Sequence, residues 1–316
     1  MTASLFTVIG EILIDFTPIV EHGQTVGFRM HPGGSPFNVA VGLARLGARA
    51  EFAAKISTDF FGRFLRAYLE REGVGARFLS SSEAPTTLAF VALEAGEPAF
   101  SFYHDGTADT LLQPVDVPAD IAASPVLHFG SISLLREPTA STIAGLVERL
   151  RGGPFLSFDP NIRAGQISNP AAFRQSINRL ASMADLLKVS AADLRWLAPE
   201  KSPEAAAADF LDRGSALVVV TLGANGCYAR SRRVALRLAA PRVDIVDTVG
   251  SGDAFTAGLL CGLAERDLAS RRGLDTAAPS LVEETLQFAL ATAALNCARS
   301  GADPPRREEV EHFLAR

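Results

Sequence analysis

The alternation of short apolar runs with longer amphipathic segments most constrains the fold of this 316-residue chain. Short runs of β-branched and aromatic residues are typical of buried strands, whereas apolar residues three or four apart indicate helices. This order of elements predicts βαβ units on a largely parallel sheet. The predicted core strands cover residues 6–14, 50–56, 125–130, 154–158, 186–189 and 216–221. The predicted helices cover residues 38–46, 61–72, 138–151, 170–183, 191–197, 202–213, 253–265 and 281–299.

Two strand-like segments, residues 15–30 and 86–103, do not fit this alternation of strands and helices. The second consists of two apolar runs separated by a turn at residues 94–98, which is a hairpin signal. Because both segments lie near the carboxyl ends of early strands, these antiparallel pieces are predicted to form a small sheet over the ligand site, which would exclude water or pair with a second subunit. Ordinary edge hairpins are the alternative interpretation.

The charge and hydropathy of the chain argue against nucleic-acid and membrane partners. The formal net charge is -5, and the paired arginines are isolated dipeptides rather than a basic face. No basic segment precedes the first apolar run, and no run reaches the roughly 18 apolar residues of a spanning helix. We therefore expect a cytoplasmic protein.

A small-residue turn at residues 247–253 leads directly into an apolar helix. Gly250, Ser251 and Gly252 leave the backbone open to close approach, and the first N–H groups of the helix suit an anion such as a phosphoryl group. Asp253, in the first helical turn, could accept a proton from an attacking hydroxyl. Alternatively, Asp247 or Asp253 caps the helix and the glycines form only a turn.

A second glycine pair, Gly33 and Gly34, precedes another predicted helix. Asn38 brings both a carbonyl acceptor and an amide donor to that helix start, which suits an uncharged polyol. Asn38 as an N-cap after a glycine turn is the alternative. Asp15 follows the first apolar strand, where it could accept hydrogen bonds from two sugar hydroxyls or cap a turn.

These residues carry a family resemblance. Gly33, Gly34 and Asn38 resemble the first motif of the ribokinase-like (PfkB) carbohydrate kinases, and residues 247–253 resemble the second. Within the family, the chain is most similar to bacterial fructokinases, through residues 10–16, 128–134 and 157–163.

The resemblance spans nearly the whole chain and has implications for the fold. It implies an α/β, ribokinase-like three-layer sandwich with a mostly parallel central sheet and a small β-sheet lid. Residues 1–316 would form a single domain, with a discontinuous lid from about residues 15–31 and 86–104.

The resemblance also implies a role for each site residue. Asp253 would be the general base, and the N–H groups of Gly250, Ser251 and Gly252 would stabilise the transferring phosphoryl group. The residues implied to bind the sugar are Asp15, Gly33, Gly34, Asn38 and Arg163. The residues implied to lie at the nucleotide are Lys188, Asp193, Thr221, Gly223 and Gly226. The ligands implied for a monovalent cation such as K⁺ are Asp247, the carbonyl of Val249, and Gly301.

Three positions depart from the family pattern. Many relatives use an Asn and a Glu three residues apart to organise magnesium waters, but this chain has Ser190 and Asp193. Mg²⁺ should still be needed, because it neutralises the nucleotide phosphates. His104 stands where fructokinase-like and ketodeoxygluconate-kinase-like sequences commonly have Arg, which weakens the case for an acidic sugar because histidine is mostly neutral at pH 7.

The sequence therefore predicts an ATP-dependent kinase that phosphorylates a primary hydroxyl of a small neutral sugar, with fructose as the expected acceptor. The alternatives are a 2-keto-3-deoxygluconate kinase and a catalytically silent sugar- or nucleotide-binding regulator. A dinucleotide-dependent oxidoreductase is disfavoured, because no G-x-G-x-x-G follows the first strand. A homodimer would follow if the lids of two chains pair.

Overall fold

The structure is a computed structural model that describes residues 5–94 and 97–316. For residues 91–94 and 97–100, it describes the backbone only. In these residues the strands are β1 (Leu5–Ile9), β2 (Leu13–Glu21), β3 (Gln24–Gly33), β4 (Arg49–Ser57), β5 (Gly75–Ser82), β6 (Thr87–Glu94), β7 (Glu97–Tyr103), β8 (Val126–Gly130), β9 (Phe155–Asp159), β10 (Leu186–Ser190), β11 (Leu217–Thr221), β12 (Cys227–Ser231) and β13 (Ala235–Leu238). The α-helices are α1 (Ser35–Arg45), α2 (Phe60–Arg71), α3 (Thr139–Leu150), α4 (Pro170–Met183), α5 (Ala191–Leu197), α6 (Pro203–Arg213), α7 (Ser251–Glu265), α8 (Arg271–Thr276), α9 (Pro279–Cys297) and α10 (Arg307–Leu314).

A nine-stranded sheet forms the centre of the molecule, in the order β13-β12-β11-β10-β9-β8-β1-β4-β5. Neighbouring strands from β11 to β5 are parallel, whereas β12 and β13 are antiparallel. In β11, Leu217 and Val219 pack on one face and Val218 and Val220 on the other. Such strands are apolar throughout because both of their faces are covered. The predicted, mostly parallel central sheet is confirmed.

The helices cover both faces of this sheet. Apolar residues of α1, α2 and α7–α10 pack in one core, and those of α3–α6 pack in the core on the opposite face. This arrangement confirms the predicted three-layer α/β sandwich. None of the helices in the described parts of the chain is long and apolar enough to cross a membrane.

A separate four-stranded sheet has the order β3-β2-β6-β7. The pairs β2–β3 and β6–β7 are antiparallel, and β2 and β6 join them in parallel. The small sheet predicted from the two irregular segments is therefore present, with strands that begin at Leu13 and end at Tyr103. The predicted turn at residues 94–98 falls partly on residues 95–96, which lie outside the described residues.

The prediction of one strand over residues 6–14 is wrong. β1 ends at Ile9 in the large sheet, and β2 begins at Leu13 in the small one. Between them, the Glu11 N–H leaves the strand ladder and donates to Ser133 Oγ at 2.8 Å. Asp15 consequently lies within β2, paired with His31 of β3, and not at the carboxyl end of a strand of the large sheet.

Several smaller elements were not predicted, and one helix begins earlier than expected. β5, β12, β13, α8 and α10 had no clear signal, because they are short or carry many polar residues. α1 begins at Ser35, with Pro36 in its first turn, where the missing N–H of proline costs nothing. Asn38 is therefore inside the helix, and its interpretation as an N-cap is wrong.

The strand order places a crevice at the carboxyl end of β1. The chain leaves β1 for β4 on one side, and it later returns to β8 on the other side. In open α/β sheets, ligands bind at such a switch point, just beyond the carboxyl ends of the strands. The ends of β1, β8, β9 and β10 are neighbours here, and the small sheet continues from the same edge.

Candidate active site

Asp253 lies in the first turn of α7, and the residue is 7% exposed. Its two carboxylate oxygens accept hydrogen bonds from α1, at 2.6 Å from Ser35 Oγ and at 2.9 Å from Asn38 Nδ2. Burial raises the pKa of Asp253 above its ordinary value, and these two hydrogen bonds oppose that shift. No described side chain caps α7, so the interpretation of Asp253 as a helix cap is wrong.

The turn before α7 presents open backbone donors. Gly250 has a φ of 73°, and a Cβ at this position would lie 2.5 Å from Ala302 Cβ, so only glycine fits. The first helical hydrogen bond is from Ala254 N to Gly250 O, and Ser251 N donates to Thr248 O at 3.2 Å. Within the described chain, the N–H groups of Gly250 and Gly252 donate to no acceptor. They remain free to bind an anion.

A cavity of about 260 Å³ lies on one side of this turn. The predicted sugar-site residues that line it are Asp15, Gly34, Asn38 and Arg163, together with Asp253. Gly33 lies directly behind Asp15, and a Cβ on Gly33 would occupy the space of the Asp15 carboxylate. Asp15 makes no hydrogen bond within the described residues, so its oxygens are available to a ligand.

The electrostatics of Asp15 differ from those of Asp253. Burial raises the pKa of Asp15 to about 6, the positive charge of Arg163 opposes this shift, and the negative charge of Asp253 reinforces it. Arg163 Nη1 is held by Asn161 Oδ1 at 2.7 Å. Two carboxylates of this cavity therefore differ: Asp253 is held by two donors, and Asp15 accepts from no donor within the described residues.

A buried ion pair lies beneath the turn. Lys188 Nζ is 2.7 Å from Asp159 Oδ2, and both side chains are almost completely buried. Burial disfavours the charged form of Lys188, but the neighbouring Asp159, Asp193 and Asp253 outweigh it and raise the Lys188 pKa. Lys188 was predicted to lie at the nucleotide phosphates, and it lines the smaller cavity beside Gly252.

A second cavity, of about 690 Å³, lies on the other side of the turn. The three residues predicted for the nucleotide loop, Thr221, Gly223 and Gly226, all line it. α9 contributes an apolar wall, and the two cavities meet at Thr248 and Gly252. This shape suits a ligand with an apolar ring at one end and an anionic group at the turn.

Both carboxylate oxygens of Asp193 accept hydrogen bonds from other groups of the protein. Its Oδ2 accepts from the N–H and the hydroxyl of Ser190, which caps α5, and its Oδ1 accepts from Ile162 N at 2.7 Å. The carboxylate thus fixes the loop that leads to Arg163. In the described part of the chain, no three His, Cys, Asp or Glu residues cluster to hold a metal ion.

The three candidate cation ligands come together around the loop that precedes α7. Asp247 accepts hydrogen bonds from Val249 N at 3.0 Å and from Gly301 N at 2.8 Å. The carbonyl of Val249 accepts from Asn296 Nδ2 at 2.8 Å. Asp247 therefore ties two chain segments together and does not cap α7.

His104 is not among the residues that line the smaller cavity. Its ring is buried, and Arg136 Nη2 lies 2.8 Å from His104 Nε2. Because a guanidinium can only donate, Nε2 must be the acceptor of a neutral ring. Burial lowers the pKa of His104, and the charge of Arg136 lowers it further.

The sequence motifs did not identify Glu11, Ser35, Asp159 or Asn296 as site residues. Glu11 is buried at the β1–β2 junction, where it accepts from the N–H groups of Ser35 and Ser133, both at 3.1 Å. Glu11 and Asp159 do carry one detectable signal, because each is a carboxylate at the end of a buried parallel strand. The partners of Ser35 and Asn296 are distant in sequence and left no local signal.

Comparison with known proteins agrees with this geometry. The model of the pfkB family carbohydrate kinase matches residues 3–309. The chain belongs to this family. It is 35% identical over 309 residues to a fructokinase of Rhizobium leguminosarum bv. trifolii. The match covers 97% of this chain and 89% of the relative.

Two solved structures of fructokinases resemble this kinase in fold. That of Xylella fastidiosa with bound ATP has a TM-score of 0.89 and 29% identity, and the match covers 98% of both chains. A double mutant of the Vibrio cholerae O395 enzyme, in its fructose-, ADP- and potassium-bound form, has a TM-score of 0.85 and 31% identity, again over 98% of both chains.

Proposed function

We propose that this protein is an ATP-dependent fructokinase, which transfers the γ-phosphoryl group of ATP to a primary hydroxyl of the sugar. One observation carries the proposal. The buried carboxylate of Asp253 and the open N–H groups of Gly250 and Gly252 occupy the single turn at which a small polar cavity meets a large one. A base and an anion site in this arrangement suit phosphoryl transfer to an alcohol.

The smaller cavity would hold the sugar. Asp15 would accept hydrogen bonds from two sugar hydroxyls, Asn38 would offer its free carbonyl oxygen, and Arg163 would donate at the outer edge. The reacting hydroxyl would then face Asp253. Asp253 takes the hydroxyl proton as the sugar oxygen forms its bond to the γ-phosphorus, and the bond to the bridging oxygen of ADP breaks.

The larger cavity would hold ATP, with its phosphates at the turn. The N–H groups of Gly250 and Gly252 would stabilise the charge of the transferring group. Lys188 would add positive charge from the sugar side of the turn. A divalent ion, expected to be Mg²⁺, would neutralise the phosphates and take most of its ligands from them and from water, because Asp193 is already engaged.

We also propose a monovalent cation site, for K⁺, at Asp247, the carbonyl of Val249, and Gly301. The carboxylate and the carbonyl are hard oxygen ligands, and the hydrogen bonds of Asp247 already draw the two segments together. A cation there would fix the loop that carries the anion-binding turn.

The charges of the smaller cavity favour a neutral sugar over 2-keto-3-deoxygluconate. Glu11, Asp15 and Asp253 line it, whereas Arg163 is the one cation of its described lining that is not paired with a carboxylate. A carboxylate-bearing sugar would meet more negative than positive charge. The intact base and turn argue against a catalytically silent regulator.

The small sheet would act as a lid on one domain that comprises residues 1–316, and it would also pair two subunits. Its outward side chains include Val20, Val26, Phe28 and Tyr103, all of which are exposed. Such exposed apolar surface is typical of an interaction site. We propose that it packs against the same sheet of a second copy in a symmetric homodimer.

ATP- and magnesium-dependent release of ADP tests the function. Fructose, 2-keto-3-deoxygluconate, ribose and glucose should each be offered as acceptor, beside the Asp253→Asn variant. We expect turnover with fructose, and a loss of roughly 10³-fold or more in the variant with sugar binding retained, because the amide cannot accept the proton.

Three outcomes would contradict parts of this proposal. A preference for 2-keto-3-deoxygluconate would reassign the substrate. Binding of ATP and sugar without turnover would indicate a regulator. Full activity in Asp253→Asn would remove Asp253 from the role of base.

A further inference from the structure

Ser35 is the first residue of α1 and connects three parts of the site. Its hydroxyl donates to Asp253 Oδ1 at 2.6 Å, across 218 residues of sequence. Its own N–H donates to Glu11 Oε1 at 3.1 Å, and the other Glu11 oxygen accepts from Ser133 N at 3.1 Å. The Ser35 side chain is only 9% exposed, so water competes little for these bonds.

Ser35 and Asn38 act on the same carboxylate from the same helix face. Residues three apart in a helix are neighbours on its surface. Here each of the two side chains donates to a different oxygen of Asp253. Two donors on two oxygens fix both the position and the rotation of the carboxylate plane, which neither donor could do alone.

Opposing influences act on the Asp253 carboxylate, and burial is the largest of them. Lys188 and Arg163 favour its ionised form, whereas burial and the carboxylates Asp15 and Asp159 oppose it. A charge-assisted hydrogen bond to a buried carboxylate stabilises its ionised form against the effect of burial. The Ser35 hydroxyl supplies such a bond, because it donates to the ionised carboxylate.

We propose that Ser35 is a positioning residue for phosphoryl transfer, whose hydroxyl holds the Asp253 carboxylate in the orientation in which it accepts the proton of the sugar. This inference rests on the proposed function. Ser35 itself takes no part in the proton transfer, and Glu11 fixes the start of α1 through the Ser35 N–H.

Ser35→Ala tests the proposal through a pH profile. Loss of a hydrogen bond to the ionised form raises the pKa of Asp253, so the acidic limb of kcat should move up by about one pH unit. At pH 7 we expect kcat to fall roughly tenfold, while the KM values for fructose and ATP change less than about twofold. A merely structural role would lower the melting temperature without moving the limb.

Matched variants complete the experiment. Ser215→Ala removes a different buried hydroxyl, which donates to Ala181 O at 3.0 Å away from the site, and it should leave the pH profile unchanged. Ser35→Thr retains a hydroxyl and should restore the limb toward that of the original protein. If Ser35→Ala does not unfold cooperatively, Ser35→Gly removes the same hydroxyl.

The outcomes distinguish this inference from the proposed function. If the original protein is active with fructose but the acidic limb does not move in Ser35→Ala, the role of Ser35 is overturned and the proposed function stands. An equal loss in Ser35→Ala and Ser35→Thr would also overturn it. Absence of turnover in the original protein with every sugar would overturn the proposed function first.

Discussion

At the scale of single residues, the site contains two carboxylates whose surroundings give them different tasks. Asp253 accepts from two protein donors, which hold its carboxylate against the start of α1. Asp15 has no donor in the described chain, and burial raises its pKa to about 6. A carboxylate without protein donors is suited to bind hydroxyls, and an anchored one is suited to move a proton.

The pKa of Asp15 predicts how sugar binding depends on pH. The ionised carboxylate accepts charge-assisted hydrogen bonds from two hydroxyls, whereas protonation removes its charge and turns one oxygen into a donor, so binding weakens as the pH falls through about 6. We expect fructose affinity to be constant at pH 7–8 and to fall roughly tenfold per pH unit well below pH 6. Calorimetric titration of fructose into the original protein measures this. In the Asp253→Asn variant the same loss should occur at lower pH, because the negative charge that helps to raise the Asp15 pKa is absent.

The matched control for this titration is the double variant Asp15→Asn with Asp253→Asn. It should bind fructose weakly, and its affinity should not change between pH 5 and 8. A steep pH dependence that survives in the double variant would assign the effect to another group.

At the scale of elements, the start of α7 joins two cavities, and its conformation depends on one glycine. Gly250 has a φ of 73° and lies against Ala302, a residue of the segment that follows α9. α7 packs against both α1 and α9, and it therefore carries Asp253 toward Ser35 on one side and the turn toward the larger cavity on the other.

Gly250→Ala should damage this junction. A side chain here strains the left-handed backbone and meets Ala302, so we expect the protein to lose about 1–3 kcal/mol of unfolding free energy. Turnover should fall more than 100-fold, because the N–H groups of the turn would move away from the phosphoryl site. Urea unfolding and ADP release measure the two effects.

Gly145→Ala provides the comparison. Gly145 is exposed within α3, and a Cβ there meets nothing within 4 Å, so alanine should be neutral or stabilise by about 0.5–1 kcal/mol. Unchanged activity in Gly250→Ala would show that the turn does not bind the transferring group.

At the scale of the whole molecule, the two sheets have different surfaces. Helices cover both faces of the large sheet, whereas the small sheet carries Ile19, Val20, Val26, Phe28 and Tyr103 as exposed apolar residues. Rings of the same sheet also pack on one another, with Phe16 and Phe90 stacked at 4.7 Å between centroids. A preformed apolar surface of this kind is suited to a second copy of itself.

We expect the protein to be a dimer of its 33.4 kDa chain in solution. The double variant Val20→Lys with Val26→Lys places two positive charges on the interface surface of each subunit. These charges would be buried and would repel one another in the dimer, so the variant should sediment as a monomer at the same concentration. Val115→Lys changes an apolar residue that is 86% exposed outside the small sheet, and it should remain a dimer. A monomeric original protein at micromolar concentration would contradict the proposed interface.

Much of the site could be predicted because its signals are local. The glycine turn before an apolar helix determines open N–H groups and a carboxylate beside them, and all these residues lie within 250–253. Gly33, Gly34 and Asn38 form a similar local unit. Asp15 lines the same cavity, and it lies in the small sheet, although residues 13–14 just before it were predicted to end the first core strand.

The sequence by itself determined the alternating elements, the largely parallel sheet and the family motifs, because helix and strand periodicity and glycine turns are short-range properties of the chain; the three-layer class followed from the resemblance that those motifs carry. Only the tertiary structure decided that β1 ends at Ile9, that Lys188 pairs with Asp159, and that Ser35 holds Asp253. These contacts join residues 29 or more positions apart, and their energies depend on burial and on neighbouring charges, which exist only after the chain has packed.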